Sequence, residues 1–318
     1  MLLRVAEHYM DDRRRERRWR MVFRMSWLLL ALLVLWVLRG ELGLQGAPST
    51  APHTALVDVR GEIAEGAEAS ADLLLPALRN AFQDEGAQAV VLRFNSPGGS
   101  PVQAGIVNDE IRRLKALHGK PVYAVVEEMC ASGAYYMAVA ADEIYVDKAS
   151  VVGSIGVLMD GFGFTGLMHK AGVERRLVTA GENKGINDPF SPETPAQRAH
   201  TQALLDQIHR QFIRAVTEGR GDRLKPGPET FSGLYWNGEQ ALKLGLADRL
   251  GSLDYVAREV VKAEDIVDYS PRENVAERLA KEFGASVGTF VGRHFGQGVG
   301  AGLLRGAQET AAPVPHLR

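Results

Sequence analysis

Apolar residues along the chain follow two rhythms. Ala55 to Val59 alternates like a half-buried strand, while Ala89 to Phe94 and Val122 to Val126 are short apolar runs bounded by turn residues, as in buried strands. Between them the spacing widens to three or four. Ala71 to Phe82 reads as a helix, with Pro76 either in its first turn or kinking it. Val102, Ile106, Ile111, Leu114 and Leu117 mark one face of a second helix. A run rich in Ala and aromatics after Ser132 predicts a third, followed by a strand at Ile144 to Val146. Such alternation predicts an α/β domain with a largely parallel sheet, and no internal repeat is evident.

A different pattern occupies the N-terminus. Val22 to Leu38 is apolar except for Arg24, and Trp27 to Leu38 has neither a charge nor a helix breaker. At about 1.5 Å per residue this run is just long enough to cross a bilayer, with Arg24 snorkelling to the headgroups. Arg13, Arg14, Arg15, Arg17, Arg18 and Arg20 crowd ahead of it, which places the N-terminus in the cytoplasm and everything beyond Gly40 outside. A cleaved secretory signal has the same polarity of charge. A retained anchor is expected, because the basic region and apolar core are longer than a signal peptide needs. The predicted organisation is therefore a basic cytoplasmic segment (1–21), a transmembrane anchor in the inner membrane (22–39), a Gly/Pro/Ser/Thr linker (40–53), an extracytoplasmic or periplasmic folded domain (54–270) and a C-terminal tail (271–318).

With 37 Lys and Arg against 39 Asp and Glu, the 318-residue chain has a formal charge of -2, which argues against a disordered or nucleic-acid-coating protein. A single cysteine, Cys130, forbids an intramolecular disulfide, so the core must hold the fold. The eight histidines are scattered without ligand spacing, and neither a metal nor a cofactor is expected.

The candidate chemistry centres on Met129 to Ala138, where Ser132 stands between a strand and a helix. A serine there caps a helix by default. Ala131, Gly133 and Ala134, however, leave room for a substrate backbone beside its Oγ, and the helix N-terminus favours developing negative charge. Cys130 is either a packing residue or a second nucleophile. Asn95 to Ser100 holds two glycines after a proline, either an oxyanion hole or an ordinary turn with Ser100 as cap. Ser154 lies in Val152-Gly153-Ser154-Ile155-Gly156, and Lys184 in Gly181-Glu182-Asn183-Lys184-Gly185, where a lysine on its own reads as a surface charge. Gly161 to Gly166 matches the dinucleotide-binding glycine pattern, with Glu182 near the acidic position, although it comes late and carries two phenylalanines. Gly284 to Gly288 spells a hydrolase elbow, but it follows a helical, charged stretch rather than a strand.

Taken together, Asn95 to Gly99, Cys130 to Tyr136, Val152 to Val157, Gly181 to Lys184 and Trp236 to Ala241 resemble the signal peptide peptidase A family, including its SohB-like members. The resemblance covers roughly Thr54 to Val261, and its specificity lies in five blocks agreeing in order. It implies a ClpP/crotonase-like α/β superhelix that forms a ring-like homo-oligomer and degrades membrane-held signal peptide remnants and other unfolded chains. The family pattern puts the nucleophile on Ser132, the general base on Lys184, the oxyanion hole on Gly99 and the Ser132 N–H, and a lysine-orienting hydroxyl on Ser154. Gly245 to Asp248 followed by Gly251 fits the same pattern, whereas Gly185-Ile186-Asn187 after the lysine departs from it. The chemistry is coherent without a histidine, because a lysine of pKa about 10.4 becomes a base once a dry pocket lowers that value. Three alternatives stay open: a crotonase-type acyl-CoA enzyme, a dinucleotide-dependent oxidoreductase and an inactive membrane scaffold.

Overall fold

The computed structural model describes residues 19–32 and 51–271, which fall in two separate units. The first contributes a helix, α1 (19–32), whose described residues are exposed on every side. Among the described residues no helix is long and apolar enough to cross a membrane, and the predicted span continues past 32, outside them. The string at 284–288 and the tail also lie outside the described residues.

The second unit, within Pro48–Pro271, is a mixed α/β fold built on one eight-stranded sheet. Its first half alternates as expected: β1 (His53–Ile63), α2 (Ala71–Gln83), β2 (Ala87–Gly99), α3 (Pro101–His118), β3 (Val122–Ala131), α4 (Gly133–Ala138) and β4 (Glu143–Val146). The apolar runs form the centre of the sheet, and Val57, Val90, Leu92 and Ala124 are almost wholly buried there. The three- and four-residue spacing is the packed face of α2, where Leu74, Leu78, Ala81 and Phe82 are buried. Pro76 lies inside α2, past its first turn. Ser100 caps α3 by accepting from the Gln103 N–H, and Pro101 opens the helix where no N–H is needed.

The chain then continues through β5 (Val151–Gly153), α5 (Thr165–Lys170), the long α6 (Pro195–Arg220), β6 (Tyr235–Asn237), α7 (Gly238–Leu244), β7 (Arg249–Leu250), a helical turn from Leu253 and β8 (Ile266–Asp268). Strand order is β6-β5-β3-β2-β1-β8, with β4 paired to β3 and β7. Every pairing is parallel except β5 with β6. β3 divides its partners: Tyr123 to Val126 pairs with β4, and Met129 to Ala131 pairs with β5. That division brings the end of β5 beside the start of α4, where the candidate chemistry lies.

Gly161 to Gly166 runs through exposed coil into the six-residue α5, eight residues or more beyond the last strand. The strand–turn–helix that a dinucleotide site requires is not formed there.

Candidate active site

Ser132 occupies the N-cap position of α4 and makes no side-chain capping bond. Its backbone sits at φ 53, and Ser154 sits at φ 51, a left-handed region that non-glycine residues rarely adopt. Each serine follows a paired strand position, since Ala131 lies opposite Gly153 in the parallel β3–β5 ladder. The two therefore leave neighbouring strand ends side by side. The Ser132 N–H donates to the Gly153 carbonyl at 2.8 Å, and the Ser154 N–H to Leu234 at 2.8 Å. Such a conformation costs about 1–3 kcal/mol and persists only where the surroundings impose it, typically at functional sites.

The bond to Gly153 corrects one expectation. The Ser132 N–H, assigned to the oxyanion hole by the resemblance, is already engaged. The amide next in line is Gly133, first residue of α4, where helix geometry provides no internal partner. Gly98 and Gly99 lie directly against it. A Cβ on Gly98 would stand 2.7 Å from the Gly133 nitrogen, from the Ala131 oxygen and from Ser132 Cβ. A Cβ on Gly133 would stand 3.3 Å from the Gly99 nitrogen. The Ile63 carbonyl accepts from Ser100 at 2.7 Å rather than from Gly99, so the ladder passes over the Gly99 N–H. Gly98 at φ 98 and Gly99 at φ 146 are conformations that need glycine.

Ser132, Ser154, Gly99 and Gly133 line one cavity of about 800 Å³. Tyr136 and Phe212 form an apolar wall, with ring centroids 5.2 Å apart. Lys184 is not among the lining residues. It lies exposed in a turn whose N–H donates to Gly181 at 3.1 Å. Three of the four predicted residues thus meet, and the lysine does not join them within the chain. Cys130 is completely buried, and burial pushes its thiol well above the usual value, so it packs beneath the site rather than reacting in it.

The site rests on residues that pattern reading had left without a role. Tyr135, in the first turns of α4, is buried and donates to the Leu246 carbonyl at 2.8 Å. Beside it the buried Arg220 guanidinium grips Asp248 with two bonds of 2.8 and 2.7 Å, and its Nε donates to the Gly245 carbonyl at 2.8 Å. Burial pushes the Asp248 carboxyl up, but the Arg220 bonds, its charge and the Ile144 N–H outweigh that and hold it below its ordinary value. The block Gly245 to Asp248 therefore anchors α4, and through it Ser132. The block at Trp236 to Ala241 has a comparable task. Trp236 pairs with Val152 across β6 and β5, and Asn237 and Gln240 form a reciprocal cap on α7, fixing the strand that carries Ser154.

A serine held in a strained turn on a cavity wall, with backbone amides beside it, is the apparatus of a hydrolase that attacks an acyl carbon. Known proteins make the class specific. Residues 115–267 match the model of Peptidase family S49. A putative protease of Synechocystis sp. is 32% identical over 205 residues, 64% of this chain and 72% of that protein. A protein of Brucella melitensis biotype 1 named Na(+)/H(+) antiporter NhaA is 48% identical over 176 residues, 55% of this chain but only 24% of that protein. A putative signal peptide peptidase SppA of Enterococcus faecium is 27% identical over 194 residues, 61% of this chain and 56% of that protein. The chain belongs to peptidase family S49, in the SppA/SohB group. It spans about a quarter of the Brucella relative, whose name describes the larger protein.

Proposed function

We propose that the chain is a membrane-anchored serine endopeptidase in which Ser132 is the nucleophile and Lys184 its general base, the two meeting between neighbouring subunits of a ring with a ClpP/crotonase-like fold. The observation that carries this reading is the incomplete cavity. It holds Ser132, Ser154 and the Gly99 amide, while Lys184 sits away from it on an exposed segment. That segment exposes large apolar side chains: Phe162 is 79% exposed and Val178 is 93% exposed. Apolar exposure of this kind fits a face covered by another chain. The long helix α6 divides in the same sense, with Phe212 and Val216 buried against their own subunit and Leu204 left open.

In the assembled site the Ser132 hydroxyl attacks the peptide carbonyl and gives its proton to the neutral Lys184 amine, which Ser154 orients. The oxyanion is received by the Gly99 and Gly133 amides, and the lysine then returns the proton to the leaving amine. Apposed subunits dry the lysine's surroundings, and desolvation favours the neutral amine. The substrates proposed are signal peptide remnants and other unfolded chains at the outer face of the inner membrane. The arginine-rich start and the apolar run from Val22 support that placement, and digestion of the domain by protease added from the outer side tests it.

Subunit complementation tests the dyad. Ser132→Ala and Lys184→Ala proteins should each be inactive on a fluorogenic peptide and regain activity when mixed under conditions that exchange subunits. Demonstrated exchange with no regained activity refutes the shared site.

A further inference from the structure

We propose that Glu62 forms a cation-selective subsite in the Ser132 cavity, one that holds a Lys or Arg side chain of the peptide two or three residues from the cleaved bond. This rests on the peptidase reading and adds a substrate class to it.

The cavity wall is glycine, serine, proline, aliphatic and aromatic apart from the amide of Gln211, and Glu62 is the single charged residue among those lining it. The carboxylate is exposed and has no ion pair or hydrogen bond among the described residues. Its neighbours on the same strand differ: Arg60 pairs with Asp58 and Glu127, and Arg93 grips Asp58 with two bonds of 2.7 Å. Of the two carboxylates on β1, Asp58 is paired and Glu62, the one lining the cavity, is not.

Strict alternation would place Glu62 on the face that carries Arg60. Two features break that alternation. Gly61 is left-handed, at φ 73, and the β1–β2 register shifts between Arg60 and Glu62, so that Glu62 lies opposite Gly98 instead of Pro97. Irregularities of this kind re-aim side chains beside active sites.

The same register sets the reach. Gly98 touches Ser132, and Glu62 is one strand beyond Gly98. A strand spacing of about 4.8 Å plus one close contact puts the Glu62 backbone about 10 Å from Ser132, and an extended peptide covers that distance in about three residues. An unpaired carboxylate at that place attracts a cation and repels an acidic side chain, while the apolar wall accepts the aliphatic stem of Lys or Arg.

The test uses full-length protein and N-acetylated fluorogenic peptides, so that the cation is a side chain and not the N-terminal amine. Pairs differ only in Lys or norleucine at each of three positions on either side of the cleaved bond. At one position, two or three residues from that bond, the kcat/KM ratio of Lys to norleucine should be roughly fivefold, the size of a partly screened ion pair, and should arise mainly in KM. The ratio should fall to about one in Glu62→Gln, and Glu62→Lys should reverse it toward a Glu-containing peptide. Raising the salt concentration should erode it. No preference at any position, or one that survives Glu62→Gln unchanged, overturns the proposal. Cleavage of the norleucine peptides and its loss in Ser132→Ala report on the peptidase reading separately. If nothing is cleaved, binding of the same pairs to Ser132→Ala protein, measured by fluorescence anisotropy, decides the cation preference alone.

Discussion

Replacing Gly98 by alanine should disable catalysis while sparing the fold. The new Cβ would stand 2.7 Å from the Gly133 nitrogen, the Ala131 oxygen and Ser132 Cβ. Relaxed contacts of that kind lie at about 3.5 Å, so the two strands must part by roughly 0.8 Å. The backbone at φ 98 adds about 1–2 kcal/mol for any residue with a side chain. A donor that stood about 2.9 Å from the oxyanion would then stand at about 3.7 Å, beyond hydrogen-bonding distance. Loss of one such donor lowers kcat by about 10²- to 10³-fold. We expect a fall of that size in kcat on a fluorogenic peptide, little change in KM, and destabilisation of about 2 kcal/mol by denaturant titration. Gly105→Ala is the matched control. It lies inside α3 with no atom within 4 Å of the added methyl, and should stabilise by about 0.5–1 kcal/mol with kcat intact. A Gly98→Ala protein whose kcat stays within tenfold of the parent refutes the Gly99–Gly133 assignment.

The anchor behind α4 and an acid-sensitive cluster supply two further predictions. Asp248→Ala leaves the buried Arg220 guanidinium and the Ile144 N–H unpaired and should cost about 3–5 kcal/mol in chemical denaturation; Arg220→Met combined with Asp248→Leu should recover most of that. Glu110 is held from its ordinary 4.5 down to about 2, chiefly by the Arg113 bond and, against the cost of burial, by Arg79. In acid the unfolded chain binds this proton first. Its stabilisation is therefore complete above about pH 5 and disappears as pH falls toward about 2, by about 1–2 kcal/mol after allowance for the half-exposed arginines. Glu110→Gln should flatten that part of the stability–pH curve, and an unchanged curve contradicts the assignment.

What the sequence made legible follows from which signals are local. Central strands announce themselves because both faces are buried: β2 and β3 appear as apolar runs, whereas β1 reads as an alternating, half-buried strand. The strands β5, β6 and β8 are three residues each, too short to show a period, and only tertiary pairing defines them. Ser132 was visible as a junction serine, but whether it caps α4 depends on a backbone angle that composition does not encode. The Ser132 N–H was misassigned for a related reason: its direction is set by Gly153, twenty-one residues on, through a strand that had not been expected. Gly133 was named only as room for substrate, and the signal for its amide was its place one residue into the helix. Tyr135 and Asp248 fell inside blocks of the family pattern but had no role there, and Arg220 fell in none, since a buried bidentate pair reads as two ordinary charges until the fold joins them.

The strained serines and the incomplete cavity have one physical explanation in common. Two non-glycine residues in the left-handed region at adjacent strand ends require rigid support, which the Arg220–Asp248 pair, the Tyr135 bond and the β5–β6 pairing provide from within the subunit. The lysine needs the opposite: an environment that becomes dry only when something closes over it. In the proposed ring, a rigid half-site made from the core meets an apolar, exposed segment from a neighbour, so that the nucleophile is preorganised before assembly and the base is activated by it. Such a division confines the hydrolytic activity to the assembled peptidase. On that proposal a lone subunit holds a strained Ser132 without the amine that would make it a nucleophile.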